Sequence, residues 1–316
     1  MTKLNNNLKK KYKILLIGYS NIAKKRYINT FIKSNIPFCV ASRSYKKKIK
    51  GSYLQFDNYD KALKYSGADI VYLSLPNSMH FSWSKKVLNS GFHLIVDKPI
   101  TTRIGELNHL LKIAKRKQLL ISEATFFNYH NQFELIKQYI GNLSNIEQIF
   151  VNFTIPTPKK KSLLLSKKFE GGAFMDMSPY AASINRILIS ENLKKKSIII
   201  KKNIDGLVIS FDIFLKYETK ILNGTFKFGG NYKNELLIYC KDKSIEATRI
   251  FSPPEDIKLK IKINKKNKSN MIIVKKDNCF ENYLVEIIRN IRSKRYDFYY
   301  KKMINDENFR FKIIKN

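Results

Sequence analysis

The residues best suited to chemistry in this sequence are Asp97, Lys98 and Pro99, which follow the run His93–Val96. That run (HLIV) has the composition of a short buried strand. Proline cannot donate to a strand ladder and buried charges are costly unless paired, so the strand ends at Asp97. Open α/β sheets build sites at the carboxyl ends of their strands, where an ammonium can polarise an oxygen. A surface turn with solvated charges explains the same residues equally well.

A second candidate site follows the apolar strand Lys13–Ile17. A strand, a tight glycine turn and a helix together present the helix N-terminus to a pyrophosphate. The dinucleotide fingerprint is incomplete, because serine and alanine stand at its second and third glycine positions. Serine is still small and offers a hydroxyl near the phosphate, although an ordinary turn between strand and helix remains the alternative. The predicted cofactor-binding residues here are Gly18, Ser20, Asn21, Ile22 and Ala23.

The next strand, Pro37–Ala41, ends at Ser42 and Arg43, roughly twenty residues beyond the glycine turn. An Asp or Glu at this distance binds the ribose of NAD, and neither is present. A hydroxyl, an arginine and the lysines Lys46 to Lys48 suit a 2′-phosphate instead. The sequence therefore favours NADP, with NAD possible. A basic loop in a lysine-rich chain accounts for the feature as well.

Polar residues also follow a third strand, Ala68–Leu75, which runs into Pro76, Asn77 and His80. Three successive strands thus end in polar clusters, and helical segments separate them. This alternation predicts an α/β doubly wound parallel sheet that carries a ligand along its carboxyl edge.

The second half of the chain has a different rhythm. Eight segments of strand composition lie between Ile146 and Lys275, separated by short polar breaks that predict antiparallel neighbours. Only two helices are expected there, Ala173–Ile189 after Gly171-Gly172, and Asn282–Ser293.

Composition limits the class of protein. A chain of 316 residues with 44% hydrophobic content predicts two packed domains. The net charge of +35 is mostly lysine, with ten arginines among 60 basic residues, and the lysines are scattered. Nucleic-acid readers favour arginine, so no nucleic-acid partner is expected.

The same survey bounds the compartment. Cys39, Cys240 and Cys279 lack metal-ligand spacing, and the first and second lie in strand-like runs. Free buried thiols, no metal and a reducing compartment are therefore expected. No apolar signal region and no run near the roughly 20 residues of a membrane span is visible, so we expect a cytoplasmic protein without a membrane partner.

Taken together, the motifs resemble the Gfo/Idh/MocA (glucose–fructose oxidoreductase and inositol dehydrogenase) family. The matching pieces are the altered glycine turn, LPNSMH at Leu75–His80, GFHLIVDKP at Gly91–Pro99, and GGAFMDMSPY at Gly171–Tyr180. The resemblance implies an N-terminal Rossmann domain over residues 1–125, a doubly wound parallel sheet. It also implies a C-terminal α+β domain over residues 126–316, with a large, mostly antiparallel open sheet for substrate and for homo-oligomer contacts (dimer or tetramer).

The resemblance also implies roles for residues. Lys98 corresponds to the family's lysine and Asp97 to the acid before it. Both are expected to bind the cofactor, together with Leu75, Pro76, Asn77 and His80. Asp176 corresponds to the family's acidic residue, whereas Tyr180 stands where many members have histidine. Their spacing of four puts both on one helix face. The tyrosine is similar to that of sugar ketoreductases and dihydrodiol dehydrogenases, and Ser178 replaces a usual glycine.

These residues suggest one reaction. Hydride arriving at a ketone carbon leaves an alkoxide, which needs a proton and nearby positive charge. Lys98 would polarise the carbonyl, Tyr180 would act as acid or base, and Asp176 would orient a substrate hydroxyl or Lys98. Tyr129 and His130, early in the second domain, are expected to reach the substrate.

The expected function is therefore an NAD(P)-dependent oxidoreductase acting on a sugar or nucleotide-sugar ketone or alcohol. Two alternatives stay open. One is an NAD-dependent dehydrogenase of a free sugar or cyclitol, and the other is a non-catalytic dinucleotide-binding protein. A tyrosine packed in a helix stripe and a surface acid are the plain interpretations of Tyr180 and Asp176.

Overall fold

The computed structural model describes residues 12–45 and 47–315, which divide into two compact units. The first unit runs to Ala124 and also includes Phe280–Ile304. The second comprises Thr125–Cys279 and the chain from residue 305 onward.

The first unit is built on six parallel strands. Their spatial order is β3-β2-β1-β4-β5-β6, the arrangement of a doubly wound dinucleotide-binding sheet. The central strands are apolar and buried along their whole length because helices cover both faces. The strands are β1 (Ile14–Ile17), β2 (Phe38–Ala41), β3 (Gln55–Phe56), β4 (Ile70–Leu73), β5 (His93–Val96) and β6 (Ile121–Glu123).

Helical segments connect these strands. The chain leaves β1 through a π-helical turn, Ala23–Tyr27, that continues as α1 (Ile28–Lys33). Asn58 caps the helix after β3 by accepting from the N–H groups of Asp60 and Lys61. The remaining helices of this part are α2 (Tyr59–Tyr65), α3 (His80–Asn89) and α4 (Glu106–Lys117).

The second unit contains an eight-stranded open sheet in the order β14-β13-β12-β11-β7-β10-β9-β8. Its strands are β7 (Ile146–Ile155), β8 (Lys195–Lys202), β9 (Val208–Lys216), β10 (Ile221–Phe228), β11 (Lys233–Cys240), β12 (Lys243–Thr248), β13 (Leu259–Lys265) and β14 (Lys268–Val274). All neighbours are antiparallel except β7 and β10. The predicted large, mostly antiparallel sheet is confirmed. The parallel pair is not consecutive in the chain, because a helix and the strands β8 and β9 lie between β7 and β10.

One face of this sheet is covered by helices. Helix α5 (Asn131–Ile140) packs near β13, and helix α6 (Ala173–Leu188) packs on β9 and β10. The alternating strand residues on that face join the helices in a single apolar core. The opposite face carries alternating polar and apolar side chains.

The last part of the chain returns to the first unit. Helix α7 (Cys279–Arg292) places Phe280 against Tyr27 and Tyr72, with ring centroids 4.6 and 5.8 Å apart. Tyr283 donates to Ser122 Oγ at 2.7 Å. Helix α8 (Asp297–Ile314) begins in the first unit and ends in the second. The structure therefore groups Phe280–Ile304 with the first unit, whereas the sequence assigned all of 126–316 to the second domain. Pattern alone does not reveal this, since α7 is amphipathic in either setting.

Two further differences concern helices. The sequence predicted only two helices after residue 145 and none at 131–140, so α5 and the 18-residue α8 were missed. Helix α8 mixes charged and aromatic residues around its circumference, so its sequence shows no clear apolar stripe. In the part of the chain that the structure describes, no helix has both the length and the apolarity to cross a membrane.

Candidate active site

The carboxyl ends of the parallel strands are aligned in one row. Ile17 pairs with Ala41 and with Leu73, Leu73 pairs with Val96, and Val96 pairs with Glu123. Backbone hydrogen bonding between the strands continues just beyond the end of β4. For example, the Ser74 N–H donates to Ile17 O at 2.8 Å. The predicted polar clusters therefore lie side by side along one edge of the sheet.

The glycine turn lies close against the end of β4. Gly18 has a φ of +97°, and a Cβ on it would stand 2.1 Å from the carbonyl oxygen of Ser74. Only glycine fits both conditions. Asn21 and Ile22 are exposed while Ala23 is buried, so the start of the helical turn is open to a ligand. Backbone of this kind fits a dinucleotide pyrophosphate.

A chain of hydroxyl groups joins this turn to Asp97. Ser20 Oγ lies 2.7 Å from Ser74 Oγ, and Ser74 Oγ donates to Asp97 Oδ2 at 2.7 Å. Ser20 Oγ also accepts from the Ala23 N–H at 3.1 Å. The Ser20 hydroxyl, which the sequence assigned to the phosphate, is thus engaged within the protein.

Two phenols complete the shell of Asp97. Tyr27 and Tyr72 donate to Asp97 Oδ1 at 2.7 and 2.8 Å. Burial, and then the nearby Asp97 carboxylate, raise the pKa of the Tyr72 phenol well above its usual value, so Tyr72 stays a donor. The two rings pack 4.5 Å apart with Phe280 beside them. Asp97 is therefore anchored on a rigid aromatic cluster.

Lys98 and Pro99 continue from this anchor, with Lys98 half-buried. His80 links the two loops nearby, because its Nδ1 lies 2.7 Å from Pro99 O and its Nε2 2.8 Å from Leu75 O. A neutral imidazole donates one of these bonds, and a doubly protonated one donates both. The ring is fully buried. His80 therefore supports the loops that carry Leu75, Pro76, Asn77 and Lys98 from behind.

Basic and aromatic side chains lie where the adenosine end is predicted. Ser42 is buried and its Oγ accepts from the Tyr45 N–H at 3.2 Å. Arg43 is exposed, with its guanidinium 4.9 Å from the centroid of the Tyr59 ring. Lys46 lies outside the described residues.

Sequence reasoning missed Lys24 at this end. Its Nζ lies 4.7 and 5.4 Å from the ring centroids of Tyr19 and Tyr45, which are 4.4 Å apart. Lys24 could have been chosen from the sequence, because it lies in the first helical turn after the glycine loop and that turn faces the cofactor phosphates.

In the second unit, helix α6 carries Asp176 and Tyr180 one turn apart. The helix is preceded by Gly172, whose φ of +103° strongly favours glycine and where an added Cβ would lie 3.1 Å from Val208 O. Tyr180 is half-buried, and its ring packs among Phe127, Phe153 and Phe251 with centroids 5.9, 5.3 and 4.9 Å away. Tyr180 is thus a phenol fixed in an aromatic setting, and Asp176 is half-buried on the same face.

The back of α6 is held by the last helix. Arg310 Nε donates to Ser178 Oγ at 3.0 Å, and Arg186 pairs with Asp306 at 2.7 Å. Both arginines are largely buried. Ser178, which departs from the family's usual glycine, therefore holds helix α8 against helix α6.

Tyr129 and His130 have different settings. Tyr129 is half-buried in a 3₁₀ turn, Phe127–Tyr129. His130 is buried, and its Nδ1 accepts from the Gln132 N–H at 3.0 Å, which caps α5. Helix capping is therefore one structural use of His130, besides the substrate contact that the sequence predicts.

Other features of the described residues lie away from these groups. A cleft of about 750 Å³ opens at the amino ends of β4 and β5, lined in part by Asp69, His93 and Arg292. It is at the opposite edge of the sheet from Asp97. Within the described ranges no cluster of His, Cys, Asp or Glu could hold a metal ion. All three cysteines are buried and free, as predicted for Cys39 and Cys240.

A parallel sheet in this order with a glycine turn after β1 is typical of a dinucleotide-binding domain, and in this chain a lysine follows β5. Residues 12–125 match the profile of the Gfo/Idh/MocA family, described as an oxidoreductase family with a NAD-binding Rossmann fold. The resemblance inferred from the motifs is confirmed.

Several relatives act on nucleotide-linked sugars by name. The chain is 24% identical over 254 residues to dTDP-3,4-didehydro-2,6-dideoxy-alpha-D-glucose 3-reductase of Streptomyces violaceoruber, covering 77% of this chain and 74% of the relative. Among solved structures it is similar to KijD10, a 3-ketoreductase from Actinomadura kijaniata in complex with NADP and TDP-benzene. The TM-score is 0.86 at 19% identity, over 93% of this chain and 94% of that one. UDP-N-acetylglucosamine 3-dehydrogenase from Acidithiobacillus ferrooxidans matches with a TM-score of 0.76 at 11% identity, over 96% of each chain.

Proposed function

We propose that this oxidoreductase transfers hydride between NADPH and a keto group on a nucleotide-linked sugar. The observation that carries the proposal is the row of strand ends, where Lys98 follows β5 at the same edge of the sheet as the glycine turn after β1, with β4 between them. The names of the relatives, which act on dTDP-linked and UDP-linked sugars, support the substrate class.

The preference for NADPH is supported by the adenosine end of the sheet. Arg43 and Lys24 are exposed cations near the end of β2, and no carboxylate follows that strand. Two cations suit a 2′-phosphate, whereas a carboxylate there would bind the 2′-hydroxyl of NAD. The bound cofactor supplies the hydride.

Residues of the protein bind the ketone oxygen of the substrate and supply its proton. In the proposed complex the Lys98 ammonium donates a hydrogen bond to the ketone oxygen and stabilises the charge that develops there. The Tyr180 phenol gives its proton to the same oxygen as the hydride reaches carbon, and recovers a proton from solvent afterwards. Asp176 and Tyr129 orient sugar hydroxyls. In the oxidative direction, Tyr180 removes the proton instead.

Both substrate and cofactor are anionic, which fits the charge of the chain. A net charge of +35 raises the encounter rate with a sugar linked to a nucleoside diphosphate. A neutral free sugar or cyclitol gains nothing from this field. The charge therefore favours the nucleotide-linked substrate over the free-sugar dehydrogenase alternative.

Turnover of two matched variants tests the proposal. Lys98→Met keeps length without charge, and Tyr180→Phe keeps the ring without its proton. With dTDP- and UDP-linked keto sugars and NADPH, each should lower kcat by about 10²-fold or more, with NADPH affinity within about threefold of the native protein.

Lys85→Met, at an exposed position of α3, is the matched control and should leave kcat unchanged. Native turnover in both variants would remove the proposed roles. Turnover of free sugars but not of nucleotide-linked ones would favour the sugar dehydrogenase. A native protein that binds NADPH but turns over none of these substrates would favour the non-catalytic alternative.

A further inference from the structure

The serine in the glycine turn has an unusual set of partners. Ser20 occupies the second glycine position of the dinucleotide fingerprint, where glycine lets the backbone approach the pyrophosphate. Its hydroxyl lies 2.7 Å from Ser74 Oγ, beyond the end of the neighbouring strand. Ser74 in turn donates to Asp97. The three residues belong to the loops after β1, β4 and β5, which are adjacent in the sheet.

The direction of the hydrogen bonds in this chain is fixed by Asp97. A carboxylate only accepts, and it accepts here from Ser74, Tyr27 and Tyr72. Because the single Ser74 proton goes to Asp97, the bond between the two serines must use the proton of Ser20. Ser20 then has lone pairs left to accept from the Ala23 N–H at 3.1 Å. The hydroxyl protons of Ser20 and Ser74 are therefore both used within this series of hydrogen bonds.

We propose that Ser20 is a positioning residue that holds the phosphate-binding turn through Ser74 and Asp97, rather than a ligand of the phosphate. Asp97 is the fixed point, because two phenols on the packed rings of Tyr27 and Tyr72 hold its carboxylate. The serine that replaces the second glycine of the fingerprint thus ties the turn to Asp97. We call this hydrogen-bonded set, Ser20, Ser74 and Asp97, the brace. Asp97, which the sequence assigned to the cofactor, supports the brace from the protein side.

The proposal rests on the proposed function, since it concerns binding of the same dinucleotide. It predicts an unexpected result for Ser20→Gly, which restores the usual fingerprint. Glycine would free the Ala23 N–H for the phosphate, yet it would also release the turn from Ser74. If losing the bond to Ser74 matters more than freeing the Ala23 N–H, the Ser20→Gly variant binds NADPH more weakly than the native protein does.

The experiment measures the Kd for NADPH by fluorescence, with KM and kcat alongside. Ser20→Gly, Ser20→Ala and Ser74→Ala should each raise Kd and KM by about fivefold to tenfold, the loss expected for one hydrogen bond. Because Lys98 and Tyr180 are untouched, kcat at saturating NADPH should stay within about twofold. Ser20→Thr keeps the hydroxyl and should restore much of the affinity. A merely structural role would not produce this split between KM and kcat.

The double variant Ser20→Ala/Ser74→Ala distinguishes a connected chain from two separate effects. One shared bond predicts a Kd within about twofold of either single variant, whereas independent contacts multiply. Native or tighter binding by Ser20→Gly, or multiplying effects in the double variant, would overturn the proposal. Ser293→Ala is the control, since its exposed hydroxyl bonds only within α7 and its turn, to Arg289 O.

Thermal unfolding without cofactor separates this inference from the proposed function. The proteins compared are the native protein, Ser20→Ala, Ser74→Ala and the double variant. If the native protein fails to bind NADPH, the proposed function fails. The brace is still tested, because the melting temperatures must show the same non-additivity. If the decrease in melting temperature of the double variant equals the sum of the decreases of the two single variants, the proposed brace is refuted.

Discussion

At the residue scale, the strand-end motifs lie at one edge of the sheet as predicted, whereas their hydrogen-bond partners were not predicted. Asp97 and Ser20 could be chosen from the sequence because polar residues after buried strands gather at one edge. Their bonding could not be predicted, since Ser20 and Ser74 are separated by 54 residues, and Tyr27 and Asp97 by 70. Only the order of the strands brings them together. His80 was chosen in the same way, and the structure buries its ring between two carbonyl oxygens.

Cofactor preference is a prediction at this scale. Arg43→Ala should raise the KM for NADPH about tenfold, because one charge-assisted hydrogen bond to the 2′-phosphate is lost. The KM for NADH should hardly change, since that cofactor has no phosphate there. Initial rates with each cofactor check this. Arg116→Ala, at an exposed site on α4, is the control, and an equal loss with both cofactors would contradict the assignment.

At the element scale, the predicted strands match the observed ones closely, while connections account for the differences. Buried parallel strands show continuous apolar runs, and β5 was predicted at its observed bounds. The parallel pairing of β7 with β10 could not be predicted locally, because α6, β8 and β9 separate the two strands in the chain. Helix α5 was missed because its start is capped by His130, a residue type that usual capping patterns exclude.

The close approach of the glycine turn to β4 gives a prediction with a built-in control. Gly18→Ala adds a Cβ 2.1 Å from Ser74 O at a positive φ, so both strain and a backbone clash result. We expect a loss of about 2 kcal/mol or more in stability and at least tenfold weaker NADPH binding.

Gly91→Ala provides the comparison. Its φ is also positive, at +87°, but nothing lies within 4 Å of the added carbon. It should cost only about 1 kcal/mol, with NADPH binding unchanged. Urea unfolding and fluorescence titration measure both variants, and equal effects would mean that the clash is relieved by movement.

A buried ion pair between loops gives a pH-dependent prediction. Glu191, after α6, pairs with buried Lys220 and accepts from Thr219 N–H at 2.8 Å. Burial alone would raise the pKa of Glu191, but the hydrogen bonds from Lys220 and Thr219 outweigh it and lower that pKa from 4.5 to about 2. The folded protein therefore favours the ionised form, and this stabilisation is present above pH 4.5 and lost as the pH falls towards 2.

Glu191→Gln should accordingly destabilise the protein by about 2–3 kcal/mol at pH 7, because Lys220 is left buried without its counter-charge. The difference from the native protein should shrink between pH 4.5 and 3. Urea unfolding at a series of pH values measures it. Glu218→Gln breaks the exposed pair with Lys194 and should cost under about 0.5 kcal/mol. A constant difference across the pH series would refute the assigned cause.

At the scale of the whole molecule, the chain is not divided at a single point. The family resemblance predicts one boundary after residue 125, and the structure has another pair around Phe280–Ile304. Aromatic residues of that returning segment, Phe280 and Tyr300, pack into or bond with the first unit. Nothing in their local sequence specifies which core they join, since apolar burial is not directional.

The uncovered face of the large sheet leads to the last prediction, a homo-oligomer. Register places Phe214, Asn223, Phe150 and Leu237 in one row across four strands. Phe214 and Phe150, on either side of Asn223 in this row, are 44% and 37% exposed, which is unusual for large apolar side chains on a free surface. Acids are interspersed on the same face, at Asp212 and Glu235. A second copy of this face is a fitting occupant, because it offers the same exposed phenylalanines, and the exposed Lys216 lies on the same face as Asp212.

The test is the mass in solution by light scattering. The native protein should be a dimer or tetramer at micromolar concentration, and Phe150→Ser/Phe214→Ser should be monomeric with an unchanged circular dichroism spectrum. Ile104→Ser, 75% exposed in the first unit, should not alter the mass. Because each copy carries a net charge of +35, long-range repulsion opposes association, and raising salt from about 0.05 to 0.5 M should strengthen the native oligomer by screening it. A monomeric native protein at both salt concentrations would show that this face stays uncovered.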